Sequence, residues 1–205
     1  MALHHSPRIV TDGLILCLDA ANVKSYIGSG TTFTDLSGRE NHHEITAAPT
    51  YNTSPKSFTL NGSTQGFTRT SALTGVSSTC TVVIFYKTTD VAELWVMGNT
   101  TSYYLSASNN NNYYHGSCGT SILNYIDLVD RTGGNPYALG YKDGEYHMWE
   151  AKNVDFSAWT TFEWFLYPDP WQLAGDVALI LVYNRVLTTA ESTQNFKALK
   201  GRFNI

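Results

Sequence analysis

The sequence predicts an all-β protein, with antiparallel sheets packed as a sandwich and one α-helix near the C-terminus. Three observations predict it. Short runs with two-residue alternation recur along the 205 residues, turn-forming clusters separate them, and a single helical pattern occurs late in the chain. Sandwiches of about 200–250 residues commonly form one domain, and no Pro/Ser-rich linker or internal repeat divides the chain. The reading is one sandwich over 9–205, preceded by a polar arm over 1–8 that contains Pro7 and either frays or orders on a neighbour.

The predicted strands cover 14–19, 57–61, 79–87, 94–98, 103–107, 145–153, 160–167 and 176–184. Between them lie Gly28-Ser29-Gly30, Ser37-Gly38, Asn61-Gly62, Gly133-Gly134-Asn135-Pro136 and Asp143-Gly144, the residue types that tolerate turn conformations. In the seventh run Phe162, Trp164 and Leu166 alternate with Thr161, Glu163 and Phe165. In the last, Val177, Leu179, Leu181 and Tyr183 share one face, with Ala178, Ile180 and Val182 on the other. Both faces are apolar, so this strand is expected to be buried on both sides. Thr188 with Glu191 three residues on reads as a capping box opening a helix over about 188–200. Phe196, Leu199 and Phe203 make its apolar stripe; Glu191, Gln194, Lys197 and Lys200 take the opposite side.

Charged residues make up 15% of the chain, against about 25% in ordinary globular proteins, while 13 Tyr, 9 Phe and 5 Trp make it rich in aromatics. A net charge of −4 argues against nucleic acid as a partner. Lys197, Lys200 and Arg202 read as cations near a helix C-terminus. No apolar run is long enough to cross a membrane as a helix, and the N-terminus lacks a signal-peptide pattern, which predicts a product made in a cytoplasm. Three cysteines at wide spacing form neither a disulfide framework nor a metal motif: Cys17 and Cys80 read as core fillers, Cys118 as a loop thiol.

The residues that could carry chemistry are few. Glu145 and Glu150 imitate the outer carboxylates of a retaining glycosidase strand. His147 stands where a central Asp belongs, and their odd separation puts them on opposite faces unless a bulge intervenes. Asp12, Asp19, Asp35, Asp143 and Asp176 are scattered singly, so no metal or other cofactor is expected; Asp35 and Asp176 read as residues that bond their own turns. The pairs His4-His5 and His42-His43 place neighbours on opposite strand faces, which argues against a two-histidine site. No nucleophile elbow or phosphate loop occurs. The best candidates for ligand or partner contact are Tyr103, Tyr104, Asn111, Tyr113 and Tyr114, where rings stand beside amides, with Trp171 in a second, proline-rigidified loop.

The closing segment opens Gly175-Asp176, ends its strand in Tyr183-Asn184-Arg185 and continues with Leu187, Thr188, Ala190 and Glu191. The opening segment carries Thr11-Asp12-Gly13-Leu14, then Asp19-Ala20-Ala21-Asn22 followed by Ser25-Tyr26, then Asp35-Leu36-Ser37-Gly38. Together they resemble laminin-G-like domains, the concanavalin A-like jelly-roll β-sandwich, as encoded by tailed bacteriophages of marine and cyanobacterial hosts. The resemblance covers roughly the first sixty and last thirty residues. It implies a non-catalytic component of the virion, most concretely a capsid decoration or head accessory protein. The partners it implies are capsid or other virion proteins and copies of the chain itself. A module that binds host cell-surface glycan, as on a fibre or spike, is the alternative, and a glycoside hydrolase the remote one. The chain is therefore expected not to be an enzyme.

Overall fold

The computed structural model describes residues 8–89, 94–100, 103–107, 113–116, 118–132, 142–166, 172–203 and 205; within 94–96, 99–100, 103–104, 106–107 and 113–116 it describes the backbone. Two antiparallel sheets face each other. The eight-stranded sheet runs β12(Val129–Asp130), β11(Leu123–Ile126), β13(Tyr146–Val154), β7(Cys80–Lys87), β15(Ala174–Tyr183), β5(Lys56–Asn61) and β4(Thr50–Thr53). Its remaining strand, β1(Leu14–Asp19), pairs with the second half of β15, while β5 pairs with the first. The seven-stranded sheet runs β10(Tyr113–Gly116), β9(Tyr103–Ala107), β8(Leu94–Thr100), β14(Phe162–Trp164), β6(Gly66–Arg69), β3(His43–Thr46) and β2(Thr32–Phe33). This is the all-β jelly-roll sandwich with one C-terminal helix that the sequence predicts.

The alternating side chains of the strands fill the space between the sheets. Phe58, Val82, Ile84, Trp149, Ile180 and Val182 from one sheet meet Phe33, Phe67, Met97, Leu105, Phe162 and Trp164 from the other. The closing strand departs from strict alternation. A register shift between Val177 and Leu179 puts Val177 with Ile180 and Val182 in this core, and Ala178 with Leu179, Leu181 and Tyr183 on the outer face. A bulge adds one residue and reverses the facing, which pattern alone does not reveal. The Gly175-Asp176 opening has a steric reason, because a Cβ at Gly175 would sit 2.3 Å from the Lys87 carbonyl oxygen.

Helix α1(Thr189–Leu199) lies on the outer face of the eight-stranded sheet. The capping box is present: the Glu191 amide donates to the Thr188 hydroxyl, and the Thr188 amide to the Glu191 carboxylate. Arg185 fastens the same carboxylate and holds it down at about 2. The buried stripe differs from the predicted one. Ser192, Asn195 and Leu199 are buried whereas Phe196 is only half-buried; Phe203 follows the helix into the same layer. Beneath the helix Ser192 donates to Glu150 at 2.7 Å, Lys152 donates to Ser192 and to the Leu187 carbonyl, and Lys152 pairs with Glu150 at 3.4 Å. Asn195 takes the Val10 amide and donates to the Tyr183 hydroxyl. The helix is therefore keyed to the sheet by polar bonds inside an apolar layer of Val83, Phe85, Met148, Leu181 and Leu187.

Other expectations are adjusted. Of the predicted run 160–167, the described residues 160–166 form a strand over Phe162–Trp164, and Phe165 takes φ 62° and turns its ring into the core. Cys118 lies outside the strands, as expected of a loop thiol, but its side chain is buried in the core, and burial pushes it up to about 12. The polar arm over 1–8 lies outside the described residues except for Arg8, whose carbonyl accepts from Gln194.

Candidate functional site

The two outer faces of the sandwich differ. One lies under the helix. The other, on the seven-stranded sheet, carries no helix among the described residues. Register gives its composition directly: Thr32 pairs with Glu44, Glu44 with Thr68, Thr68 with Glu163, Glu163 with Gly98, Gly98 with Tyr104 and Tyr104 with Gly116. Directly paired residues share a face, so these seven positions form one row across the sheet. The alternate positions, Phe33, Ile45, Phe67, Trp164, Met97 and Leu105, are buried in the core.

Along the row Thr32 and Glu44 are exposed, and Thr68 and Glu163 are half-buried. The Thr46 and Thr68 hydroxyls lie 3.4 Å apart on the same face. Burial alone pushes the Glu163 carboxyl up, and no described side chain pairs with it. At one side of the row a cleft of about 220 Å³ is lined by His42, Glu44, Thr68, Arg69, Thr70 and Ser71. Arg69 turns towards the backbone there, donating to the carbonyls of Glu40, His42 and Ala72.

The face rests on one buried polar contact. His43, next to Glu44, points inward and accepts the Trp164 indole N–H at 2.9 Å; Trp164 is next to Glu163. The other ring nitrogen of His43 lies 3.0 Å from the Asn41 carbonyl, so the imidazole is neutral with its proton there. Burial pushes His43 down to about 4, the Asn41 bond opposing. His42 faces outward, so the histidine pair divides between faces as expected from the sequence.

The sequence-selected tyrosines lie on this sheet, and register separates them. Tyr104 and Tyr114 occupy open-face positions, Tyr114 opposite Ser106 and Tyr104 opposite Gly116. Tyr113 belongs to the alternate set that includes the buried Leu105, and Tyr103 pairs with Thr100 at the strand end. Asn111 and Trp171 lie outside the described residues. Glu44 and Glu163 were not among the selected residues. Glu163 had a legible signal, standing between two core aromatics on a short strand; Glu44 had none.

Other candidate groups come out as structural. Glu150 is buried under the helix and Glu145 is exposed, so they do not flank a common space. His147 lies between two aspartates, Nδ1 at 2.6 Å from Asp127 and Nε2 at 3.1 Å from Asp143. Burial lowers its basicity, but the two carboxylates outweigh that and raise it overall. Opposite ring nitrogens cannot converge on one ion, and no group of three possible metal ligands occurs among the described residues. Asp35 caps its own turn through the Ser37 and Asn41 amides, as read from the sequence. Asp176 instead bonds across strands. It accepts from Thr59 at 2.5 Å and Tyr146 at 3.3 Å, and pairs with Lys87 at 3.1 Å, beside a larger concavity of about 390 Å³. That concavity's one carboxylate is thus already satisfied by the protein, so the open face is the stronger site.

Comparison with solved structures agrees with the architecture. The chain is similar to a Trypanosoma rangeli sialidase in complex with the inhibitor DANA, with TM-score 0.57 and 15% identity over 95% of this chain and 35% of that one. It is similar to domain 4 of AbnA, a GH43 extracellular arabinanase from Geobacillus stearothermophilus in complex with arabinotriose, with TM-score 0.58 and 14% identity over 90% of this chain and 98% of that one. A Trypanosoma rangeli sialidase in complex with sialic acid matches with TM-score 0.56 and 14% identity, over 92% and 33%. The chain spans about a third of the length of the sialidase chains, and these likenesses are ones of fold. No family model and no curated protein matches. The expectation that the chain is not an enzyme is corrected by these comparisons, since the structures it resembles come from sialidases and an arabinanase. No helix among the described residues is long and apolar enough to cross a membrane.

Proposed function

We propose that this chain recognises carbohydrate through the open face of the seven-stranded sheet, in the service of glycan processing. The observation that supports it most is the asymmetry of the sandwich: one outer face is closed by the helix, whereas the other presents hydroxyls, carboxylates and two tyrosine positions. Hydroxyl and carboxylate groups on a rigid sheet suit sugar hydroxyls, and tyrosines add apolar area with a polar tip. The arabinanase domain bound to arabinotriose, matched over 98% of its length, is in keeping with this reading.

The virion role implied by the terminal motifs gains no support from the comparisons. Host-glycan recognition by a fibre or spike would be one setting for the same chemistry. The test is a glycan array followed by calorimetric titration of each hit. Tyr104→Ala and Tyr114→Ala are expected to weaken binding roughly tenfold, and Tyr113→Ala to leave the affinity near wild type. Reducing-sugar release in the same mixtures reads turnover. Silence across the array, or hits insensitive to Tyr104 and Tyr114, would remove the proposal.

A further inference from the structure

The chemistry of the open row narrows the sugar class, and this step rests on the carbohydrate reading above. Glu44 and Glu163 are its two charged residues, and each pairs with Thr68 from opposite sides. Their Cα atoms are therefore two strand spacings apart, about 9.5 Å. No cation stands in the row. Arg69, at the rim, donates to three backbone carbonyls, and His42 is engaged by accepting the Asp35 amide at 3.1 Å. An ionised carboxylate offers acceptors only, two oxygens suited to a pair of adjacent hydroxyl donors. A ligand carboxylate placed between Glu44 and Glu163 would meet like charge from both sides, a disfavoured juxtaposition, while the Arg69 guanidinium, still cationic, is held at the rim by its backbone bonds.

Two glycines interrupt the side chains of the row. Gly98 follows Glu163 in the row and Gly116 follows Tyr104. Glycine inside a strand commonly marks a close approach of another group to the backbone, and Gly98 is itself buried between the Glu163 and Tyr104 positions. The row crosses seven strands, about 29 Å at ordinary strand spacing, which is longer than one sugar ring.

We infer that the open face takes a neutral oligosaccharide laid across the strands, with Glu44 and Glu163 accepting from its hydroxyls, and rejects acidic sugars. In this respect the chain departs from the sialic acid named with one of its structural neighbours.

The test is titration of the intact chain at low salt with arabinotriose, arabinohexaose, maltohexaose, 3′-sialyllactose and trigalacturonic acid. At least one neutral series is expected to bind, the hexamer more tightly than the trimer, with the acidic sugars at least about tenfold weaker. Glu163→Gln and Glu44→Gln should each weaken neutral binding several-fold while leaving the melting temperature unchanged. Glu44→Lys should raise affinity for trigalacturonic acid. Acidic sugars binding as well as or better than neutral ones would overturn the inference and leave the carbohydrate reading standing. Neutral binding unmoved by all three variants would also overturn it. Absence of any binding, on these probes and on the array, removes both.

Discussion

The two outer faces of this sandwich are made by the same alternation and put to opposite use. On the eight-stranded sheet the outward positions are Val83, Phe85, Met148 and Leu181, and a helix with its following turn covers them. On the seven-stranded sheet they include Thr32 and Glu44, which are exposed, and Thr68 and Glu163, which are half-buried. Polar groups occur in both settings, with different consequences. Glu150 and Lys152, 1% and 6% exposed, must be paired to be tolerated, and they key the helix to the sheet. Glu163 is half-buried without a described partner, so its acceptors are available to a ligand. A buried charge here serves the fold, whereas an unpaired one on the open face is what the proposed recognition would use.

The contrast can be broken by mutation. The largest effect is expected on the closed side: Lys152→Ala leaves the Glu150 carboxylate under the helix without its cation and should cost about 3–5 kcal/mol, read by urea denaturation. Next comes the contact beneath the open face. His43 is depressed from its ordinary 6.5 to about 4, so the folded state stays neutral while the unfolded state takes up a proton. Its contribution is full above about pH 6.5 and is lost as the pH falls towards 4, by about 3 kcal/mol. His43→Phe should flatten that part of the stability-against-pH curve. A smaller loss, about 1 kcal/mol, is expected for Thr188→Ala, which removes the helix cap. The smallest stability effect is expected on the open side, where Glu44→Gln should stay within about 0.5 kcal/mol of wild type. A large loss there would mean that Glu44 is structural and the face is not free.

The sequence was legible where structure is local. The capping box depends on residues three apart, and the closing strand on a continuous apolar run; both are present. The buried helix stripe was not legible, because Ser192 and Asn195 find their partners in Glu150, Val10 and Tyr183, which only the fold brings together. Strands β2, β3 and β6, of two to four residues, are too short and too polar to give a periodic signal. For that reason the row joining Glu44 to Glu163 could not be read in advance. Tyrosine-rich character was visible, but which tyrosine positions face outward depended on the pairing of β9 with β10.

The most direct test of the central claim is a backbone-amide NMR titration with a neutral oligosaccharide found to bind. The account predicts shifts concentrated at Glu44, Thr68, Glu163, Gly98 and strands β9 and β10, with helix α1 unmoved. Shifts confined to α1, or to the Asn52–Lys87–Asp176 concavity, would contradict it.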